Sequence, residues 1–219
     1  MFITFEGPDG SGKSTVIKAV YEKLLKDNFD VLLTREPGGT PIAEKIRDII
    51  LDNSNTALDA RTEALLYAAS RRQHLVEKIW PALKEGKIVL CDRFIDSSLA
   101  YQGGGRNLGV ENVLNINLFA TENTYPDISL FFEVSPEIGL SRVNSDKKRV
   151  ADRLDNENEN FHDKVYETFK KIVANNKNRF IVIDASKPLN EVIENTYQIL
   201  KKKLNELRWI SKNISENTL

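Results

Sequence analysis

Gly7-Pro8-Asp9-Gly10-Ser11-Gly12-Lys13-Ser14-Thr15 follows directly on the strand-like run Phe2-Ile3-Thr4-Phe5-Glu6 and leads into a helical pattern over 13–26. It is a complete G-x-x-x-x-G-K-[ST] segment in the order its chemistry needs: strand, glycine turn, helix. The glycines let successive backbone N–H groups turn inward around phosphate oxygens, and the helix beginning near Lys13 aims its positive end at the same point. Gly7, Pro8, Asp9, Gly10, Ser11, Gly12, Lys13, Ser14 and Thr15 are therefore the expected nucleotide triphosphate cradle. Lys13 is placed to reach the β- and γ-phosphates, and Ser14 to ligate Mg²⁺.

Downstream of this loop, short β-branched runs at 30–34, 87–92, 128–134 and 180–184 join the first run at 2–6. Between them lie helical patterns at roughly 13–26, 41–51, 59–84, 97–102, 110–121, 136–143, 159–175 and 189–207. Five strands separated by helices predict a five-stranded parallel sheet in a three-layer α/β sandwich. The continuously apolar Ile88-Val89-Leu90 and Leu130-Phe131-Phe132 suit strands covered on both faces. Pro81 falls inside the third helical pattern and should kink it near Ile79-Trp80. There is no repeat or low-complexity linker, so residues 1–207 read as one domain and 208–219 as a polar, frayed tail.

In such sheets ligands bind at the carboxyl ends of the strands. Strand one runs into the phosphate loop, strand two into Arg35-Glu36-Pro37-Gly38-Gly39-Thr40, and strand three into Asp92-Arg93-Phe94-Ile95-Asp96-Ser97-Ser98. Asp92 ends an apolar strand, where an acid can serve the metal together with Ser14. Arg93 follows it, and Arg35 and Arg47 come from the neighbouring segment. Three guanidinium groups near one cleft imply a second anion besides ATP, hence a phosphorylated acceptor. Tyr67 and Arg71 are four apart in a helix and share a face, where a ring can stack on a base and the arginine reach its edge. The stretch 141–155 carries Arg142, Lys147, Lys148, Arg149 and Arg153 and reads as a short arginine-rich lid that brings positive charge to a phosphoryl group in transfer.

The composition bounds the remainder. The chain has 219 residues, 41% of them hydrophobic and 29% charged, enough for a full core. A net charge of −1 and pI near 6.2 leave no global basic field for a nucleic acid polymer or an anionic membrane, so small molecules are the expected partners. No leader or membrane span is evident, and a cytoplasmic protein is expected. The single cysteine, Cys91, is in an apolar run and reads as a small buried hydrophobe. His74 and His162 lack ligand spacing and read as packing or surface residues.

Together these segments closely resemble the bacterial thymidylate kinases, P-loop nucleoside monophosphate kinases, over about residues 1–207. The most selective stretches are Phe5 through Thr15, Thr34-Arg35-Glu36-Pro37-Gly38-Gly39-Thr40, Ala69-Ser70-Arg71-Arg72, and Asp92-Arg93-Phe94 with Ser97-Ser98-Leu99-Ala100-Tyr101-Gln102-Gly103. The resemblance implies a P-loop NTPase fold, ATP as donor, dTMP as acceptor, Mg²⁺, and a homodimer. It implies that Tyr67 stacks on thymine, that Arg71 contacts its edge, and that Ser98 and Gln102 bond nearby base atoms, with Tyr101 in the same dTMP site. Arg35 and Arg93, with Arg47 beside them, would hold the acceptor phosphate, and Asp9 would lie near the sugar hydroxyl. Some relatives place a catalytic arginine directly after that acid. Here the position is Gly10, so the lid must supply the charge: Arg149 and Arg153 are the preferred pair, and Arg142 is assigned to ATP. Lys13, Asp9 and Arg93 complete the expected catalytic set.

Rival readings separate on sequence features or simple assays. A GTP-dependent switch would carry N-K-x-D after a strand, whereas Asn176-Lys177-Asn178-Arg179 lacks the aspartate and precedes one. A silent nucleotide-binding module would not need this set of cations and oxygen ligands. A kinase for another monophosphate differs only in its base pocket.

Overall fold

The structure, a computed structural model, describes residues 1–145 and 151–216, with side chains described to residue 206. Five parallel strands, β1 (Phe2–Glu6), β2 (Val31–Arg35), β3 (Ile88–Asp92), β4 (Ile128–Glu133) and β5 (Phe180–Asp184), form one sheet in the order β2-β3-β1-β4-β5. Alternation along each strand feeds two cores. Ile3, Phe5, Leu90, Leu130, Phe132 and Ile183 face α1 (Lys13–Lys26) and α9 (Leu189–Glu216). Phe2, Val89, Cys91 and Phe131 face the opposite layer, which includes Ile95, Phe161, Val165 and Phe169. This is the three-layer arrangement expected from the apolar runs, and Cys91 is fully buried as expected.

Local chemistry sets the helix ends. Pro41 opens α2 (Pro41–Leu51), where its missing N–H costs nothing. Asp59 Oδ1 caps α3 (Ala60–His74) by accepting from the Arg61 and Thr62 N–H groups at 2.9 and 3.1 Å. The long helical pattern over 59–84 is not one α-helix. It passes through a π-helical turn at Leu75–Ile79 into α4 (Trp80–Lys84), with the Trp80 N–H bonded to Leu75 O, five residues back. Pro81 supplies no amide hydrogen and crowds the preceding turn, so the wider turn sits at the expected kink.

A second π-helical turn, Leu99–Gly105, follows the short α5 (Ile95–Ser98) and replaces the single helix expected at 97–102. Its glycines permit close contact with α8 (Glu159–Asn175): a Cβ on Gly104 would lie 2.0 Å from Thr168 Oγ1. Between them runs α6 (Val110–Thr121), and α7 (Pro136–Ser145) leads from β4 toward the arginine-rich stretch. The helix α9 continues to Glu216 rather than ending near residue 207. No described helix is long and apolar enough to cross a membrane.

Candidate active site

Two cavities lie at the carboxyl end of the sheet, the smaller at the ends of β1, β2 and β3 and the larger between the loop after β1 and the segment after β5. One, of about 380 Å³, is lined among others by Asp9, Arg35, Arg47, Tyr67, Arg71, Arg93, Ser98, Tyr101 and Gln102. The other, of about 720 Å³, is lined by residues 10–16, Arg142, Val143, residues 185–189 and Val192. Lys13 and Ser14 line both. A group held by the phosphate loop in the larger cavity therefore adjoins whatever occupies the smaller one.

The loop itself wraps the start of α1. Gly12, with φ of +78°, is the N-cap, and the Thr15 and Val16 N–H groups donate to its carbonyl at 3.1 Å. Ser11 Oγ is buried with no hydrogen-bond partner among the described residues, a donor available to a ligand. Lys13 is buried and donates to Pro8 O at 3.3 Å. Ser14 Oγ donates to Asp92 Oδ2 at 2.5 Å, while Asp92 Oδ1 has no hydrogen-bond partner among the described residues. These hard oxygen donors at the loop mouth fit a magnesium ion. Gly10, the position where an arginine would be catalytic in some relatives, has φ of +74° and abuts the α7 backbone: a Cβ there would lie 2.0 Å from Gly139 O. No side chain fits.

A carboxylate among phosphate-binding amides is electrostatically awkward, and the surroundings of Asp9 explain it. Its Oδ1 accepts from Arg93 Nη2 and its Oδ2 from the Tyr101 hydroxyl, each at 2.6 Å. Arg93 also donates through Nη1 to Gly7 O at 3.0 Å and to Ser97 Oγ at 3.1 Å, and its guanidinium lies 4.8 Å from the Tyr101 ring centre. It adopts a left-handed φ of +70° directly after β3, where its N–H bonds Phe5 O at 3.0 Å. Such strain persists only where surrounding contacts over-determine it, here by tying the smaller cavity to the phosphate loop. Beneath, Ser97 Oγ donates to Glu6 Oε2 at 2.6 Å and the Phe94 N–H to Glu6 Oε1 at 2.8 Å. Burial, and then the neighbouring Asp96 charge, push the Glu6 pKa up to about 8. Asp96 is held by Arg179 through two bonds of 2.7 and 2.8 Å.

At the cleft mouth Arg35 Nη1 and Arg47 Nη1 both donate to Pro37 O, at 2.6 and 3.0 Å, and Arg35 Nη2 alone donates to both Glu44 oxygens, at 3.0 and 2.9 Å. Burial, and then the Arg35 charge, hold the Arg47 pKa below its ordinary value. Two guanidinium groups on one carbonyl favour an anion beside them.

Tyr67 and Arg71 share a face of α3, as their spacing predicts, and both line the cleft. Arg71 is only 1% exposed, so it is a core residue as well as part of the cleft wall. Its Nε donates to Glu36 Oε2 at 2.6 Å, Nη1 to Ser98 Oγ at 3.0 Å and to Asn117 Oδ1, and Nη2 to Phe94 O at 2.9 Å. The other Glu36 oxygen meets His74 Nδ1 at 3.0 Å, and His74 Nε2 meets Thr34 Oγ1 at 2.6 Å. Glu36, His74 and Cys91 also bring metal-type ligand atoms within 4.8 Å of one another. Both carboxylate oxygens are already engaged and burial pushes the Cys91 thiol pKa up, so the group is a packed polar network.

The arginine-rich stretch divides. Arg142 lies at the larger cavity, donating to Ala185 O at 2.8 Å. Arg149 lies outside the described residues. Arg153 does not turn to the phosphate loop: its Nη2 donates to Glu63 Oε2 at 2.5 Å and its Nε to Ile50 O at 2.9 Å, while Asp152 and Leu154 on either side line the smaller cavity. Sequence reasoning missed Glu63, Glu6, Asn117, Arg106 and Asp152. For Glu63 a signal existed: Glu63, Tyr67 and Arg71 continue one i, i+4 stripe along α3.

The family model described as thymidylate kinase matches residues 5–196. A thymidylate kinase of Finegoldia magna is 57% identical over 203 residues, covering 93% of this chain and 98% of that protein. One of Bacillus pumilus is 52% identical over 204 residues, covering 93% and 96% respectively. A crystal structure of thymidylate kinase from Ehrlichia chaffeensis superposes with a TM-score of 0.74 at 35% identity, covering 92% of this chain and 98% of that one. With a phosphate loop shared by two cavities, one of them arginine-lined, and relatives matched over nearly their whole length, the chain belongs to the thymidylate kinase family.

Proposed function

We propose that the chain phosphorylates dTMP to dTDP by direct in-line transfer of the γ-phosphoryl group of ATP, a step of nucleotide biosynthesis. The observation that carries this reading is the shared wall: Lys13 and Ser14 line both cavities, so donor and acceptor phosphates meet there without a relay. ATP takes the larger cavity, its phosphates on the amides of residues 10–15 and its base near Arg142. The monophosphate takes the smaller one, its phosphate toward Arg93, Arg35 and Arg47, its sugar hydroxyl near Asp9, and its base between Tyr67, Arg71, Ser98 and Gln102.

The acceptor oxygen is already anionic, so no general base is needed, and catalysis consists of positioning and charge neutralisation. Lys13 stabilises charge on the transferred group, and Arg93 orients the acceptor phosphate while Asp9 and Tyr101 hold its guanidinium in place. Ser14 and Asp92 would hold Mg²⁺, which when bound neutralises the β- and γ-phosphate charge. Of the three candidate lid arginines, Arg142 alone among described residues lies at the donor side, while the pair preferred from sequence is Arg149 and Arg153. The stretch 141–155 serves as a lid in this reading, since its described ends reach both cavities: Arg142 the donor side, Asp152 and Leu154 the acceptor side.

The protein is proposed to be cytoplasmic and homodimeric. Support for a dimer comes from the outer faces of α2, α3 and α6, which expose Ile42, Ile49, Leu65 and Phe119, the last at 88%. Sedimentation as a monomer at micromolar concentration would remove that part. Direct transfer is tested with ATP made chiral at the γ-phosphorus. A single in-line step inverts configuration in the dTDP formed; retention would require a covalent phosphoenzyme and refute it.

A further inference from the structure

Gln102, in the π-helical turn Leu99–Gly105, is 1% exposed and lines the acceptor cleft. Its Nε2 donates to Glu63 Oε1 at 2.9 Å, and its Oε1 has no hydrogen-bond partner among the described residues. The two ends of an amide are told apart only by what faces them. Here that neighbour is unambiguous. Glu63 is fully buried and also accepts from Arg106, through Nε at 3.2 Å and Nη2 at 3.0 Å, and from Arg153 Nη2 at 2.5 Å. Burial works to raise its pKa, but the hydrogen bonds from Arg106 and Gln102 outweigh it and hold the carboxyl below its ordinary value. Glu63 therefore stays ionised and acts as an acceptor only, which admits the NH₂ end of Gln102 and excludes the carbonyl. A buried carbonyl oxygen with no protein partner is then the end left for a ligand.

We propose that Glu63 sets the polarity of the acceptor-base pocket: by pinning the Gln102 amide it leaves an oxygen to accept from a ring N–H, and so selects imide bases over bases with an unprotonated ring nitrogen. Glu63 does not line the cleft and is a positioning residue acting through Gln102. The proposal rests on the reading of the smaller cavity as the dTMP site with Gln102 at the base. Thymine and uracil offer the N–H; cytosine presents a lone pair at the same position, which an outward oxygen repels.

The test is the ratio of kcat/KM for dTMP over dCMP in wild-type protein, Glu63→Gln and Glu63→Asp. Glutamine at 63 can face Gln102 with either end, so the amide is free to turn and the ratio should fall by about tenfold or more. Aspartate keeps an acceptor-only partner and should hold the ratio near wild type even where KM rises. Arg71 is the same in all three proteins, so the ratio isolates the amide. A merely structural Glu63 would raise KM for both nucleotides alike; an unchanged ratio in Glu63→Gln overturns the proposal. Gln102→Ala tests the underlying reading separately, since an unaltered KM for dTMP there means that Gln102 does not touch the base. If Glu63→Gln fails to fold, side-chain NMR of the wild-type protein decides. Gln102 NH₂ protons that exchange slowly both free and with dTMP bound support the pinned amide, and fast exchange in the bound state overturns it.

Discussion

Replacing Arg71 by methionine separates what this residue does for the fold from what it does for the acceptor. Methionine fills similar volume, but the change leaves Glu36, 4% exposed, with only His74 on one oxygen among the described residues, and takes a donor from Phe94 O and Asn117 Oδ1. Removing one partner of a buried pair costs about 3–5 kcal/mol, chiefly from the charge left behind. At about 2–4 °C per kcal/mol for a chain of this size, the unfolding temperature should drop by roughly 6–20 °C. The double variant Arg71→Met with Glu36→Gln removes that charge and should regain about half the loss, while its KM for dTMP stays as poor as in the single variant. The assay is thermal unfolding of the full chain at fixed protein concentration, paired with dTMP kinetics. A single variant within about 1 kcal/mol of wild type, or a double variant less stable than the single, would refute the buried-pair account.

Two further outcomes follow from the loop and the core beneath it. Gly10→Ala puts a Cβ against the Gly139 carbonyl at a left-handed φ, so the loop or α7 must move; kcat/KM for ATP should fall by about tenfold or more, and an unchanged value would contradict the close backbone packing. Glu6 binds its proton more tightly folded than unfolded, with a pKa of about 8 against 4.5, so it favours the folded state fully below pH 4.5 and that contribution is lost as pH rises to 8. Stability curves from pH 5 to 9 should therefore decline less steeply in Glu6→Gln than in wild type, and parallel curves would contradict the assignment.

The elements nearest the β-strand ends were legible because their chemistry is local. The phosphate loop, Asp92, Arg93 and the Tyr67–Arg71 face all follow from spacing within one segment, and the structure places residues 9–15 of the loop, Asp92, Arg93, Tyr67 and Arg71 along the two cavities. Less legible were residues whose partners are distant in the chain. Glu63 meets Gln102, Arg106 and Arg153, 39, 43 and 90 positions away, and on a charged helix it looks like a solvated acid. Arg153 was expected at the transferred phosphoryl group because it belongs to a charged stretch, yet that buried carboxylate draws it to the acceptor side. The two π-helical turns were read as ordinary helix, since apolar spacing does not distinguish a turn widened by one residue. Pro81 and the Gly103-Gly104-Gly105 run were the visible traces of them.

The central claim is that the smaller cavity takes dTMP while the phosphate loop presents ATP across Lys13 and Ser14. It is tested most directly by ADP formation from Mg·ATP with dTMP, dUMP, AMP, CMP, UMP and GMP supplied separately at equal concentration. The account predicts that dTMP is the strongly preferred acceptor and that AMP, GMP and CMP support little turnover. Preferred turnover with a purine or cytosine nucleotide would contradict the base pocket, and turnover with none of them would contradict the meeting of two phosphates at the shared wall.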